Sequence, residues 1–120
     1  MNYNLNSYIS GWKSWIKDEK RLSLNTIISY EIDLLSFLKF INIHMNTNLN
    51  IDQISRISDD DLSAWFFERV KKGISHRSNA RALSSLKSFI NYLIKKKIIN
   101  NSKLLLVKGP KFLESLPKPL

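Results

Sequence analysis

The 120 residues contain no cysteine, only three glycines, three prolines and two histidines. Without cysteine there is no disulfide framework, no thiolate zinc site and no thiol nucleophile, and a reducing, intracellular and cytoplasmic setting is the expectation. So little glycine leaves no phosphate-cradling loop. His44 and His76, each near an expected helix end, have no serine, cysteine or carboxylate partner from which to build nucleophilic or metal catalysis. No apolar run reaches the ~18 residues of a membrane span, and Met1 to Asn6 lacks the pattern of a signal peptide. Neither a membrane partner nor a small-molecule substrate is expected, and no cofactor or metal.

Acidic residues are scarce in one part only. Residues 1–70 hold seven Lys/Arg against nine Asp/Glu, whereas residues 71–120 hold twelve against one, Glu114. The last fifty residues therefore carry +11 of a net +9, the rest being −2. A compositional drift toward lysine would raise it everywhere and would not empty one part of acids. The asymmetry points to a polyanionic partner, and nucleic acid is the first candidate.

The same scarcity of glycine and proline predicts helix over the first hundred residues, as one compact unit. A first stretch from about Leu5 to Glu19 places Tyr8, Ile9, Trp12, Trp15 and Ile16 on one stripe. A second, with Ser23 as N-cap, carries Ile27, Tyr30, Leu34, Leu38 and Ile41 to about His44, before the loop Asn46–Asn50. A third runs from about Asp59 to Lys72, buries Leu62, Trp65, Phe66 and Val70, and ends at Gly73. Ser58 and Asp61 form a capping box there, so Asp59, Asp60 and Asp61 read as dipole partners and not as metal ligands. The fourth, capped by Ser75, runs to about Lys97. It gathers Leu83, Leu86, Ile90, Leu93 and Ile94 opposite Arg77, Arg81, Ser84, Ser88, Asn91 and Lys95. From Ile98 onward an extended basic tail is expected, with Leu104 to Val107 docking one end and Pro110, Pro117 and Pro119 opposing helix. The expected organisation is a helical domain over 1–100 and a linker over 101–120.

Arg77 and Arg81 stand one turn apart on the exposed face of a helix start, with Ser78 beside them and no acid at i±3 or i±4. Guanidinium forks match guanine edges and phosphate oxygens, and a helix N-terminus favours an anion. Asn25, Thr26 and Ser29, on the first turns of the second helix, suit phosphate contacts but suit capping equally. Lys87, at the edge of the apolar face, and Lys111 complete the candidate set, with Lys87 also readable as structural. Reversing the charge of Arg81 is expected to abolish DNA binding without unfolding the domain.

Leu22-Ser23-Leu24-Asn25-Thr26-Ile27-Ile28-Ser29-Tyr30-Glu31-Ile32-Asp33-Leu34-Leu35-Ser36-Phe37-Leu38 resembles the "L-S-x-x-T-x-x-x-Y-x-x-D-L-x-x-F" stretch of tyrosine recombinases of the phage integrase and Xer group. The segment Gly73 to Leu93 resembles the last major helix of their N-terminal core-binding domain. Gly109-Pro110-Lys111 through Leu116-Pro117-Lys118-Pro119-Leu120 resembles the linker that precedes their catalytic domain. Asn100-Asn101-Ser102 departs from the Asn-Pro common at that turn.

The resemblance implies an all-α, SAM-like four-helix orthogonal bundle with an extended C-terminal linker. Its second and fourth helices would face the major groove of a recombination half-site in double-stranded DNA. It also implies contacts with other recombinase protomers in a synaptic tetramer. The catalytic half, with its tyrosine nucleophile, would lie beyond this chain, so this chain is not itself an enzyme, and Tyr3, Tyr8, Tyr30 and Tyr92 are not nucleophiles. Two other readings remain. A stand-alone helical DNA-binding regulator would dimerise and bind specific DNA unaided. A helical protein-interaction module would use Phe40, Phe67 or Leu104–Val107 and bind with little dependence on salt.

Overall fold

A computed structural model describes residues 3–46 and 48–116 of the chain. Met1, Asn2, Thr47, the linker residues Pro117, Lys118, Pro119 and Leu120, and the side chains of Tyr3, Asn4 and Pro110 lie outside the described residues. Six α-helices follow in order: α1 (Tyr3–Asp18), α2 (Leu24–His44), α3 (Ile51–Ser55), α4 (Asp59–Lys71), α5 (His76–Lys95) and α6 (Gly109–Glu114). A 3-10 turn spans Lys103–Leu106, and there is no strand among the described residues. The architecture is all-α, and the four long helices are the four that the sequence periodicity predicts.

Their ends are set by local chemistry. Ser23, Ser58 and Ser75 each accept a hydrogen bond from the backbone N–H three residues on, and Ser58 with Asp61 closes a full capping box. Gly73, at φ +82°, lets the Ile74 N–H reach Arg69 O and the Gly73 N–H reach Val70 O, so α4 ends in a left-handed C-terminal turn. Lys97, at φ +59°, makes the same turn after α5, with Ile98 N–H bonded to Leu93 O.

The core is centred on α5, which packs chiefly on α2 and also touches α1, α6 and the 3-10 turn. Trp12, Phe37, Phe66 and Phe89 are fully enclosed, and Trp12 meets Phe89 edge to face at 5.5 Å. Trp12 Nε1–H donates to Ser88 Oγ at 3.0 Å, so the indole is buried without an orphaned donor. Lys13 on α1 pairs with Glu31 on α2 at 3.0 Å.

Three departures from the sequence reading have physical causes. The segment after the Asn46–Asn50 loop, to which periodicity assigns no element, holds a short helix, because Asn50 and Gln53 form a reciprocal capping box that nucleates α3 and buries Ile54. On α4 the buried position is Arg69, whereas Val70 is only half-buried. The stretch after Ile98 contains helix: Ser102 caps the 3-10 turn, and Pro110 sits in the first turn of α6, where a missing N–H costs no bond. Leu104, Val107 and Leu113 are buried, and Phe112 packs edge to face on Phe66 at 5.6 Å.

Gly11 lies mid-helix because Tyr92 of α5 leans against it. A Cβ at that position would stand 3.2 Å from Tyr92 Cζ and closer still to the hydroxyl. Alanine gains about 1 kcal/mol of intrinsic helix propensity over glycine, but overpacking typically costs about 1–3 kcal/mol. Gly11→Ala is therefore expected to lower stability in urea unfolding, and Tyr92→Phe in that background to recover part of the loss. A Gly11→Ala chain more stable than the parent contradicts this packing.

Candidate nucleic-acid interface

The first turns of α2 and α5 are built alike. Ser23 Oγ accepts from Thr26 N–H at 3.2 Å and donates to Thr26 Oγ1 at 3.0 Å. Ser75 Oγ accepts from Ser78 N–H and donates to Ser78 Oγ, both at 3.1 Å. Thr26 and Ser78 thus belong to caps, yet each pair of hydroxyls shares one proton and keeps a second for an outside acceptor such as a phosphate oxygen. Asn25 is exposed on α2 and Ser29 is half-exposed.

Arg81 does not stand free. Its Nε donates to Asp33 Oδ2 at 2.8 Å and its Nη2 to Asp33 Oδ1 at 3.1 Å, a two-bond clasp from α5 to α2. The Asp33 side chain is 3% exposed and that of Arg81 43%. The bond to the carboxylate, above all, holds the Arg81 guanidinium above its ordinary pKa. Sequence reading found no acid within the helix to quench Arg81, which is correct, but the quenching group comes from the neighbouring helix. The expectation that charge reversal at Arg81 spares the fold is therefore corrected: it would set a carboxylate against the buried Asp33.

Beside the clasp, Arg69 of α4 donates from Nε to Asn79 Oδ1 at 2.8 Å, and its guanidinium lies 4.7 Å from the Trp65 ring centre. Burial, foremost, pushes the Arg69 pKa down, with Arg81 adding to the effect and Asp33 opposing it. One signal could have exposed this quartet in the sequence. Asp33 falls among core positions of α2, and a buried carboxylate requires a cationic partner.

Past the clasp, α5 turns one continuous polar face outward. Arg77, Arg81, Ser84, Asn91 and Lys95 are exposed and Ser88 is half-buried, with no carboxylate on that stripe. Arg77 makes no ion pair among the described residues. From Arg77 to Lys95 the stripe runs about 27 Å at 1.5 Å per residue, most of one turn of a DNA duplex. The C-terminal half of the stripe borders an open groove of about 780 Å³ between α5, the end of α1 and Tyr30 of α2; its cations are Lys20, Lys87 and Lys95 and it has no acidic lining residue. Lys20 and Tyr30 had no signal in the sequence as groove residues, because only the packing of α1 and α2 on α5 brings them there.

The remaining candidates separate. Lys87 Nζ donates to Val107 O, tying the segment after α5 back onto the helix. Lys111 is exposed on α6 and shares no hydrogen bond with the others. Of the groups a protein-interaction module would use, Leu104 and Val107 are core, Phe40 and Leu105 are half-buried, and Phe67 and Leu106 are exposed.

Residues 9–97 match the family described as "Phage integrase, N-terminal SAM-like domain". Curated relatives include the tyrosine recombinase XerC of Agrobacterium fabrum, 35% identical over 91% of this chain and 35% of its own length. That of Rickettsia prowazekii is 29% identical over 100% of this chain and 39% of its own length. That of Brucella suis is 31% identical over 91% of this chain and 35% of its own length. The chain thus spans little more than a third of the length of these relatives. No solved structure gives a significant match. The chain belongs to the phage integrase N-terminal SAM-like domain family.

Removing the Asp33 charge tests the clasp. Asp33→Asn is expected to cost about 1–3 kcal/mol in urea unfolding, the usual range for leaving a buried polar partner poorly matched. Arg81→Glu should cost more. Parent-like stability in both variants would contradict a structural role for the pair.

Proposed function

We propose that the chain is the duplex-binding N-terminal domain of a site-specific tyrosine recombinase, seating a recombination half-site while strand cutting and rejoining are performed by a catalytic domain outside residues 1–120. The observation that carries this reading is the outward face of α5, which offers Arg77, part of Arg81, Ser84, Asn91 and Lys95 without an acid among them. Forked and point cations with short hydroxyl and amide donors along one exposed helix suit a major groove and its flanking phosphates. The capped start of α2, with Asn25, Thr26 and Ser29, supplies further neutral donors. In this reading Arg81 has two duties, clasping Asp33 and keeping its outer edge toward the duplex. Lys87 acts from behind by holding the 3-10 segment, and Lys111 adds a phosphate contact from α6.

The residues after about 101 lead toward the catalytic domain in this reading, and other protomers assemble beside the domain in a synapse. The work is done on DNA in the cytoplasm. No helix among the described residues is long and apolar enough to cross a membrane.

Fluorescence anisotropy with a random duplex and with a single strand, across a salt series, tests the proposal. Duplex preference is expected. If about six phosphates are neutralised, the log–log slope should be roughly −5. Arg77→Ala should weaken binding and flatten the slope by about 1, as loss of one phosphate contact does, with stability unchanged. Flat, weak binding to both nucleic acids, or an unaffected Arg77→Ala variant, would overturn the assignment.

A further inference from the structure

A second groove, of about 490 Å³, opens between the C-terminal half of α2 and α4 and is not used by the proposed DNA face. Arg69 lies in it and is only 9% exposed. A guanidinium carries five N–H donors. The bond to Asn79 takes one, from Nε, and the two terminal amino groups have no acceptor among the described residues. No side-chain nitrogen among those residues is both sealed from solvent and unbonded, so these amino groups reach the groove surface. Asp33, whose charge acts on Arg69, has both oxygens taken by Arg81. Glu68, the one carboxylate lining the groove, is engaged by Lys72 at 3.0 Å. Lys39 on the rim forms no ion pair among the described residues.

A fork of unused donors therefore sits in a concavity walled by Phe40, Ile43, Trp65 and Ile74. Phosphate rails of duplex DNA are met by exposed cations on convex helix faces, such as the one on α5. Here the guanidinium is recessed beside apolar side chains, with Lys39 and Lys72 as further cations on the lining, which matches a planar carboxylate carried next to an apolar side chain. The Trp65 ring and the bond to Asn79 hold the guanidinium in place, so a bidentate carboxylate would lose little further freedom on docking.

We propose that the α2–α4 groove is a docking site for a peptide segment of a partner protein in which a carboxylate adjoins an aromatic or aliphatic side chain, the carboxylate seating on the free edge of Arg69 and the apolar group on Trp65 and Phe40. The groove shares no lining residue with the proposed DNA face, so a recombinase subunit could hold its half-site and this partner together.

The test uses the ¹⁵N-labelled chain and N-acetylphenylalanine, which joins one carboxylate to one aromatic ring, with its amide as the uncharged control. The acid is expected to move the Arg69 Nε–H and Trp65 indole N–H resonances saturably, and the amide to leave them in place. Arg69→Lys, which keeps the charge and loses the fork, should weaken acid binding about tenfold, equivalent to about 1.4 kcal/mol; Lys39→Ala, outside the buried quartet, should weaken it by a smaller factor. Equal effects of acid and amide, or no effect of either, overturn the proposal, and this comparison decides even where Arg69→Lys fails to fold. Inorganic phosphate or duplex DNA moving these two resonances more than the acid also overturns it, by assigning the groove to nucleic acid. A duplex that moves α5 alone is the expected result.

Discussion

The two-bond clasp between Asp33 and Arg81 ties the largest helix contact of the domain, α2 on α5, at the edge of its core. A carboxylate 3% exposed requires a cation, and the cation is drawn from the very stripe that faces solvent. The position of one helix on the other is thereby linked to the charge pattern of the outer face. Because Asp33 is satisfied by Arg81, Arg69 takes a neutral partner, Asn79, and a ring, Trp65, and keeps donors to spare. One pair thus bears on the charge pattern of the outer face of α5 and on the unused guanidinium edge in the α2–α4 groove.

Helix α5 serves two solvents at once. Its inner side buries Leu83, Leu86, Phe89, Ile90 and Leu93, while its outer side concentrates polar and cationic groups. Lys87 lies at the boundary and is turned to structural use, its ammonium holding the carbonyl of Val107. That bond, with Leu104 and Leu113 buried, fastens the segment after α5 to the bundle. An element fixed on several sides is a rigid mount for recognition, since the cost of ordering it is met during folding.

Much of this was legible in the sequence. Helix starts at Ser23, Ser58 and Ser75 follow from short hydroxyl side chains ahead of apolar periodicity, and the stop at Gly73 from the left-handed turn that glycine permits. The stripe from Arg77 to Lys95 needed only the 100° helical wheel. What escaped was set by contacts between distant residues. The partner of Arg81 lies 48 positions away, so a search at i±3 and i±4 could not find it. Arg69 displaced Val70 from the buried face because Asn79 and Trp65 accept its guanidinium, a condition that periodicity does not encode. The short helices α3 and α6 were missed for a different reason. Each is too short for a periodic signal, and each depends on its first turn, the Asn50–Gln53 box in one and Pro110 in the other. The charge asymmetry between residues 1–70 and 71–120 pointed to a polyanion, but only the fold separates the cations that pair internally from those left facing outward.

The most direct test of the DNA-binding reading is chemical-shift mapping of the ¹⁵N-labelled chain during titration with a short duplex at low salt. The account predicts that the largest shifts fall on residues 75–95 and 23–30, centred on Arg77 and Thr26, with α3 and the exposed side of α4 unmoved. Shifts concentrated on α4, or spread evenly over the lysines of residues 95–111, would contradict a built interface on α5 and leave only diffuse attraction between a basic surface and a polyanion.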